Sequence, residues 1–200
     1  VNAGQVGQNA VDDNYLTAQE VKAKESWLSI IQQCNGAKTD ICEMARKGVL
    51  QLIAKDANVK LAAEEVLWSA MANAGQSCIG AERVYVENSV ADAFIESITS
   101  KAKKLHEGTN YGPATMPSQL NVIQSHIDDA LSRGAKFVLG GSNSVHDGMV
   151  APTIMVDVPE DSKAMTEETF GPTLAINKVP SISEAIALSN ASSYGLAAAV

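Results

Sequence analysis

Cys78 lies in the run Asn73-Ala74-Gly75-Gln76-Ser77-Cys78-Ile79-Gly80, between a segment of helical periodicity and the strand-like Arg83-Val84-Tyr85-Val86. A thiolate is a strong nucleophile toward carbonyls, and its pKa falls where backbone N–H groups or positive charge surround it. Small neighbours (Gly75, Ser77, Gly80) leave room for a substrate and leave amides free to hold a developing oxyanion. The competing reading is a small buried hydrophobe, the commonest fate of a free cysteine. Cys34 and Cys42 lack the glycine flanks and are assigned to that second category. A second block, Glu167-Glu168-Thr169-Phe170-Gly171-Pro172, joins carboxylates, an aromatic ring and a rigid turn. Such a turn can hydrogen-bond the paired hydroxyls of a ribose while the ring packs on a flat heterocycle. Read as structure only, it is a solvated acidic loop entering a strand, anchored by Phe170.

The elements needed to position these residues follow from periodicity. Thr17-Ala18-Gln19-Glu20 is a capping box opening a helix with Val21, Leu28 and Ile31 on one face. Val49 to Ile53 reads as a buried strand. Leu61 to Ala72 places Ala62, Val66, Leu67, Ala70 and Met71 at helical spacing, and Val90 to Leu105 does the same with Val90, Phe94, Ile98, Ala102 and Leu105. Pro117 opens a helix whose buried side is expected at Leu120, Ile123, Ile127 and Leu131, ending at Gly134. Strands are expected at 83–86, 136–139, 153–158, 174–179 and 195–200, with a capped helix from Ser181 to Asn190. Strands alternating with helices predict an α/β fold with a largely parallel sheet flanked by helices.

Composition bounds the function classes. At 46% hydrophobic and 19% charged the chain is globular, with a core of Ala, Val, Ile and Leu because aromatics are 4%. A formal charge of −8 argues against a nucleic-acid surface. Lys101, Lys103 and Lys104 are expected to oppose the negative end of a helix dipole. Three cysteines at these spacings fit neither a disulfide framework nor a zinc site, which predicts a reducing, cytoplasmic location. His106, His126 and His146 share no metal-ligand spacing and are expected at the surface, so no metal is assigned. No run is long enough to span a bilayer and no signal peptide is read. Both ends look cut, which suggests a piece of a longer protein.

The two blocks, in this order, resemble the NAD(P)-dependent aldehyde dehydrogenase superfamily. The likeness continues through Gly112-Pro113 with Gln119-Leu120, Gly134-Ala135-Lys136 with Gly140-Gly141, Ala151-Pro152-Thr153, and Asn190 with Tyr194-Gly195-Leu196. It spans about residues 56–200, a truncated catalytic-domain-like portion. Residues 1–55 are then a divergent N-terminal segment, loop plus helix, standing as a remnant of or replacement for the cofactor domain. The resemblance implies that Cys78 is the thiol that adds to the aldehyde, giving a thiohemiacetal and then a thioester that water hydrolyses. It implies that Glu168 holds the nicotinamide ribose of NAD or NADP, with Phe170 beside it, and that the Cys78 N–H supplies half the oxyanion site. The family's general base lies in a Glu-Leu-Gly-Gly-Lys segment. Its nearest counterpart here is Glu43-Met44-Ala45-Arg46-Lys47, whose glycines are replaced, and a shifted alignment leaves the base absent. The implied partner is a small aldehyde, without nucleic acid or membrane, and with homo-oligomers if the enzyme is full length. The expected activity is aldehyde oxidation to a carboxylic acid, weak or absent in this chain by itself. The alternatives are a non-catalytic fragment that docks a partner through helix 17–33, and acyl transfer to coenzyme A.

Overall fold

The computed structural model describes residues 50–192 and 198–199. The expected N-terminal helix from Thr17 and the candidate base Glu43 lie outside the described residues. The chain enters through strand β1 (Leu50–Ile53) and helix α1 (Val59–Met71), capped by the Asn58 side chain, which accepts the Leu61 N–H. Strand β2 (Arg83–Glu87) leads into helix α2 (Asn88–Ala102). Helix α3 (Pro117–Ser132) begins on a proline, whose fixed φ suits the first helical position. Strand β3 (Lys136–Leu139), the two-residue strands β4 (Val145–His146) and β5 (Met149–Val150), and strand β6 (Thr153–Val156) follow. A short helix α4 (Lys163–Thr166) precedes strand β7 (Thr173–Val179). Helix α5 (Ile182–Asn190) is capped as expected, Ser181 Oγ accepting the Glu184 N–H at 3.3 Å, and β8 is Ala198–Ala199.

Six strands form one sheet in the order β3-β6-β7-β2-β1-β8. All neighbours run parallel except β3, which pairs antiparallel with β6 at the edge. The expected largely parallel sheet is therefore present, with one reversed strand. The reversal follows from the connection: β4 and β5 fold back as a small antiparallel pair, returning the chain beside β3 without a crossover helix. Neither of these two-residue strands is long enough to show a period in the sequence.

Strand alternation splits the core cleanly. Ile53, Val84, Val86, Ile154, Val156, Leu174 and Ile176 face α1 and α2, where Val66, Phe94 and Ile98 meet them. Leu52, Tyr85, Met155 and Ala175 face the other way, toward α3, α4 and α5 through Ala130, Met165 and Ala185. Both faces of the sheet are covered, as parallel strands require. Lys101 reaches across from α2 to Glu64 on α1 at 2.9 Å.

Helix α3 departs from the expected seam. Its buried side is Ile123, His126, Ile127 and Ala130, whereas Leu131 is 45% exposed. The stripe is rotated because the helix packs on the acidic turn after α4 as well as on the sheet. His126, expected at the surface, is buried: its Nδ1 lies 2.9 Å from Thr169 Oγ1 and its Nε2 3.4 Å from Glu167 Oε2. That pairing fits a neutral ring that accepts the Thr169 hydroxyl and turns its N–H toward Glu167.

Two stability results are expected. Phe94→Ala, at a side chain with no exposure, lowers unfolding free energy by roughly 3–5 kcal/mol. Trp68→Ala, at a side chain 73% exposed, changes it by less than about 0.5 kcal/mol. Urea denaturation compares them, and equal losses would contradict this core. Burial lowers the His126 pKa below its ordinary 6.5, against the opposing pull of Glu167. The neutral ring is thus the form the fold accommodates. Its contribution is complete above that ordinary value and is lost as pH falls through the lowered one. His126→Gln should flatten the decline in stability just below pH 6.5; an unchanged acid limb would contradict the assignment.

Candidate active site

The cysteine loop begins where α1 ends, the Ala72 N–H closing the helix on Trp68 O. Asn73, Ala74 and Gly75 then take consecutive left-handed conformations, with φ of 54°, 58° and 68°. Asparagine and glycine tolerate that region, whereas Ala74 there is uncommon and must be held by its surroundings. Asn73 Nδ2 donates to Gln76 O, and Gln76 Nε2 donates back to Asn73 O, both at 3.1 Å. Gln76 also binds the loop before α3, donating to Pro113 O and accepting the Thr115 N–H. The Gly80 N–H closes a turn on Ser77 O at 3.0 Å, leaving Cys78 and Ile79 at its centre, both exposed. Cys78 is a free thiol on the surface, which excludes the buried-hydrophobe reading.

The second turn, between α4 and β7, is held from three directions. Glu82 accepts the Thr169 N–H at 3.0 and 3.2 Å and the Phe170 N–H at 2.8 Å. Gln119 of α3 donates to Thr169 O at 2.7 Å, above the His126 contact. Buried Arg83 donates to Glu167 O at 2.8 Å and to Ala164 O at 3.4 Å. Phe170 has φ of 52°, an outlier for a bulky side chain, and is half-buried. Glu168, next to it, is exposed.

These two turns touch. A β-carbon placed on Gly75 would fall 2.0 Å from Gly171 O and 2.8 Å from Pro172 N. Only glycine allows the cysteine loop to lie on the acidic turn at that distance. Strand register brings them there: β2 and β7 are parallel neighbours with Arg83 opposite Ala175, and each turn lies just before the N-terminal end of its strand. Burial raises the Glu82 carboxyl above its usual range, and the Phe170 and Thr169 amides and Arg83 pull the other way. The carboxylate is thus the costly form, kept in place by donors aimed at it.

Of the residues singled out in the sequence, Cys78, Glu168 and Phe170 fall on these adjoining turns. Glu43 lies outside the described residues. Glu82 was given no role, Gln119 entered only as part of the family likeness and His126 only as a surface histidine, because all three act through contacts distant in sequence. The sole local hint at Glu82 is a charge entering an apolar strand. Among the described residues, no group of three or more His, Cys, Asp or Glu side chains could hold a metal ion. Chemically, the arrangement offers an exposed thiol on a turn that adjoins one presenting two carboxylates and one ring. No helix among the described residues is long and apolar enough to cross a membrane.

The chain is similar to known proteins over most of its length. Residues 29–200 match the model of the aldehyde dehydrogenase family. The chain is 38% identical over 152 residues to a glutarate-semialdehyde dehydrogenase of Pseudomonas putida, covering 73% of this chain and 32% of that protein. It is 37% identical over 154 residues to a succinate-semialdehyde dehydrogenase [NADP(+)] of Escherichia coli, covering 74% and 32%. Among solved structures, an NADP-dependent glyceraldehyde-3-phosphate dehydrogenase from Bacillus halodurans, complexed with NADP, superposes with a TM-score of 0.71 at 35% identity. That match covers 74% of this chain and 32% of the other. The chain thus spans about a third of the length of the relatives it matches. With an exposed cysteine turn seated on a Glu-Thr-Phe-Gly-Pro turn, and with these matches over most of its length, the chain belongs to the aldehyde dehydrogenase family.

Proposed function

We propose that this chain carries the nucleophile and the nicotinamide-ribose end of an NAD(P)-dependent aldehyde dehydrogenase site, converting an aldehyde to a carboxylic acid. The observation that carries this reading is the seating of Gly75 against Gly171, which joins the Cys78 turn to the Glu168–Phe170 turn. The Cys78 thiolate forms a bond to the aldehyde carbon, and the carbonyl oxygen becomes an oxyanion. Among the described residues nothing accepts the Cys78 N–H, so that amide is available to the oxyanion. Loss of hydride from the carbon leaves a thioester on Cys78. Water then adds to it, releasing the acid and the thiol.

The residues present fit the nicotinamide end of the dinucleotide. The exposed Glu168 carboxylate is an acceptor for paired ribose hydroxyls, and the half-buried Phe170 ring lies beside it on a turn fixed by Glu82 and Gln119. NAD(P)+ bound there supplies the hydride acceptor. Residues 1–55 stand as a divergent segment, a remnant of or replacement for the cofactor domain, and 56–200 as the catalytic-domain portion. Glu43 is the proposed counterpart of the base that activates the deacylating water.

With part of the dinucleotide site and one of two oxyanion donors among the described residues, steady-state turnover is expected to fall at least ~10²–10³-fold below that of a full-length family member. Each turnover that does occur passes through an acyl group on Cys78. Intact-mass spectrometry after prolonged incubation with a simple aldehyde and NAD+ or NADP+ should show a hydroxylamine-sensitive adduct on the parent chain and none on Cys78→Ser. An adduct that persists in Cys78→Ser, or a parent chain that stays unmodified, would contradict the proposal.

A further inference from the structure

Glu82 is joined to the segment opposite it through both its backbone and its side chain. Its carbonyl oxygen accepts the Ala175 N–H at 2.9 Å, opening the β2–β7 ladder. Its carboxylate accepts the successive N–H groups of Thr169 and Phe170, at 2.8 to 3.2 Å. Two adjacent amides converging on one anion form a nest-like cradle, and they fix the peptide planes on either side of Thr169. Phe170 is held at positive φ by this arrangement, a conformation that costs of order 1–3 kcal/mol in a non-glycine residue. The side chain of Glu82 is 13% exposed, and the cation paired with it among the described residues, Arg83 Nη2, stands at 4.0 Å. A buried carboxylate with one distant cation is a poor choice for stability alone, because a neutral acceptor would fill the place at lower desolvation cost. What the charge does provide is a strong, bidentate grip on the backbone that carries Glu168 and Phe170.

We propose that Glu82 is a positioning residue for the cofactor turn. Its carboxylate sets the directions of the Glu168 side chain and the Phe170 ring, and thereby dinucleotide affinity, from the same short segment that carries Cys78. The inference rests on the reading of that turn given under Proposed function. Glu82 lies four positions after Cys78, so a displacement of the cofactor turn is also a displacement relative to the nucleophile. Gln119 and His126 hold Thr169 from the opposite side, at its carbonyl and its hydroxyl, and leave the two amides to Glu82.

The test compares the 200-residue chain with its Glu82→Gln and Glu82→Asp variants. Saturation-transfer NMR with millimolar NAD+ and NADP+ measures affinity, and iodoacetamide labelling measures the reactivity of Cys78. Glu82→Gln keeps the volume and removes the charge; it should raise the dinucleotide Kd about tenfold, as loss of a hydrogen bond to a charged group does. Cys78 labelling should stay within about twofold, since Asn73 and Gln76 hold that loop separately. Glu82→Asp, which keeps the charge one methylene short, should recover part of the affinity, and it carries the test if Glu82→Gln does not fold. Equal affinity in the parent and in Glu82→Gln would overturn the proposal. So would parallel losses of affinity, labelling and thermal midpoint, the signature of a merely structural role. A parent chain that binds neither dinucleotide has a different signature. It overturns the cofactor reading itself and the inference with it.

Discussion

Gly75 and Gly171 belong to turns nearly a hundred residues apart in sequence, yet one turn rests on the other with no room for a side chain between them. That contact puts the cysteine and the acidic-aromatic block in one place. Its geometry is fixed at both ends. The run of left-handed residues from Asn73 to Gly75 is closed by reciprocal Asn73 and Gln76 hydrogen bonds, and the facing turn is gripped by Glu82, Gln119 and Arg83. A close approach between two strained turns survives only when the surroundings over-determine it. Here they do.

The sheet makes the approach possible. Parallel neighbours β2 and β7 begin side by side, so the turns leading into them must meet at the same edge. Both faces of that sheet are covered by apolar side chains, which leaves little freedom for the strand ends to shift. Helix α3 braces the turn from outside. A β-carbon on Gly171 would fall 2.6 Å from Ile123 Cδ1, the end of a side chain that can shift, so the second glycine is less constrained than the first, which meets backbone. Surface charge contributes little to this: exposed pairs such as Lys136–Asp157 are individually weak.

How much of this was legible in the sequence depends on how far each signal reaches. Strands buried on both faces read as short apolar runs and helices carry period 3.6, so β2, β7, α1 and α2 were readable to within a few residues. Cys78 was legible only as a candidate, since its glycine and serine neighbours fit an open turn without excluding a buried one; its exposure came from the structure. His126 was misplaced to the surface, and Leu131 to the core, because α3 packs on a turn as well as on the sheet. No window along the helix records that second partner. Glu82 was missed for the same reason, since its two amide donors lie 87 and 88 positions away. The antiparallel β3 was hidden by two-residue strands too short to show a pattern.

Proton cross-relaxation between Gly75 Hα and Pro172 Hδ examines the central contact most directly. With the β-carbon direction of Gly75 aimed at the Gly171–Pro172 peptide, a clear nuclear Overhauser effect between them is the expected result. Its absence, with both spin systems assigned and the sheet otherwise intact, would show that the two turns stand apart and that no shared site joins Cys78 to Glu168.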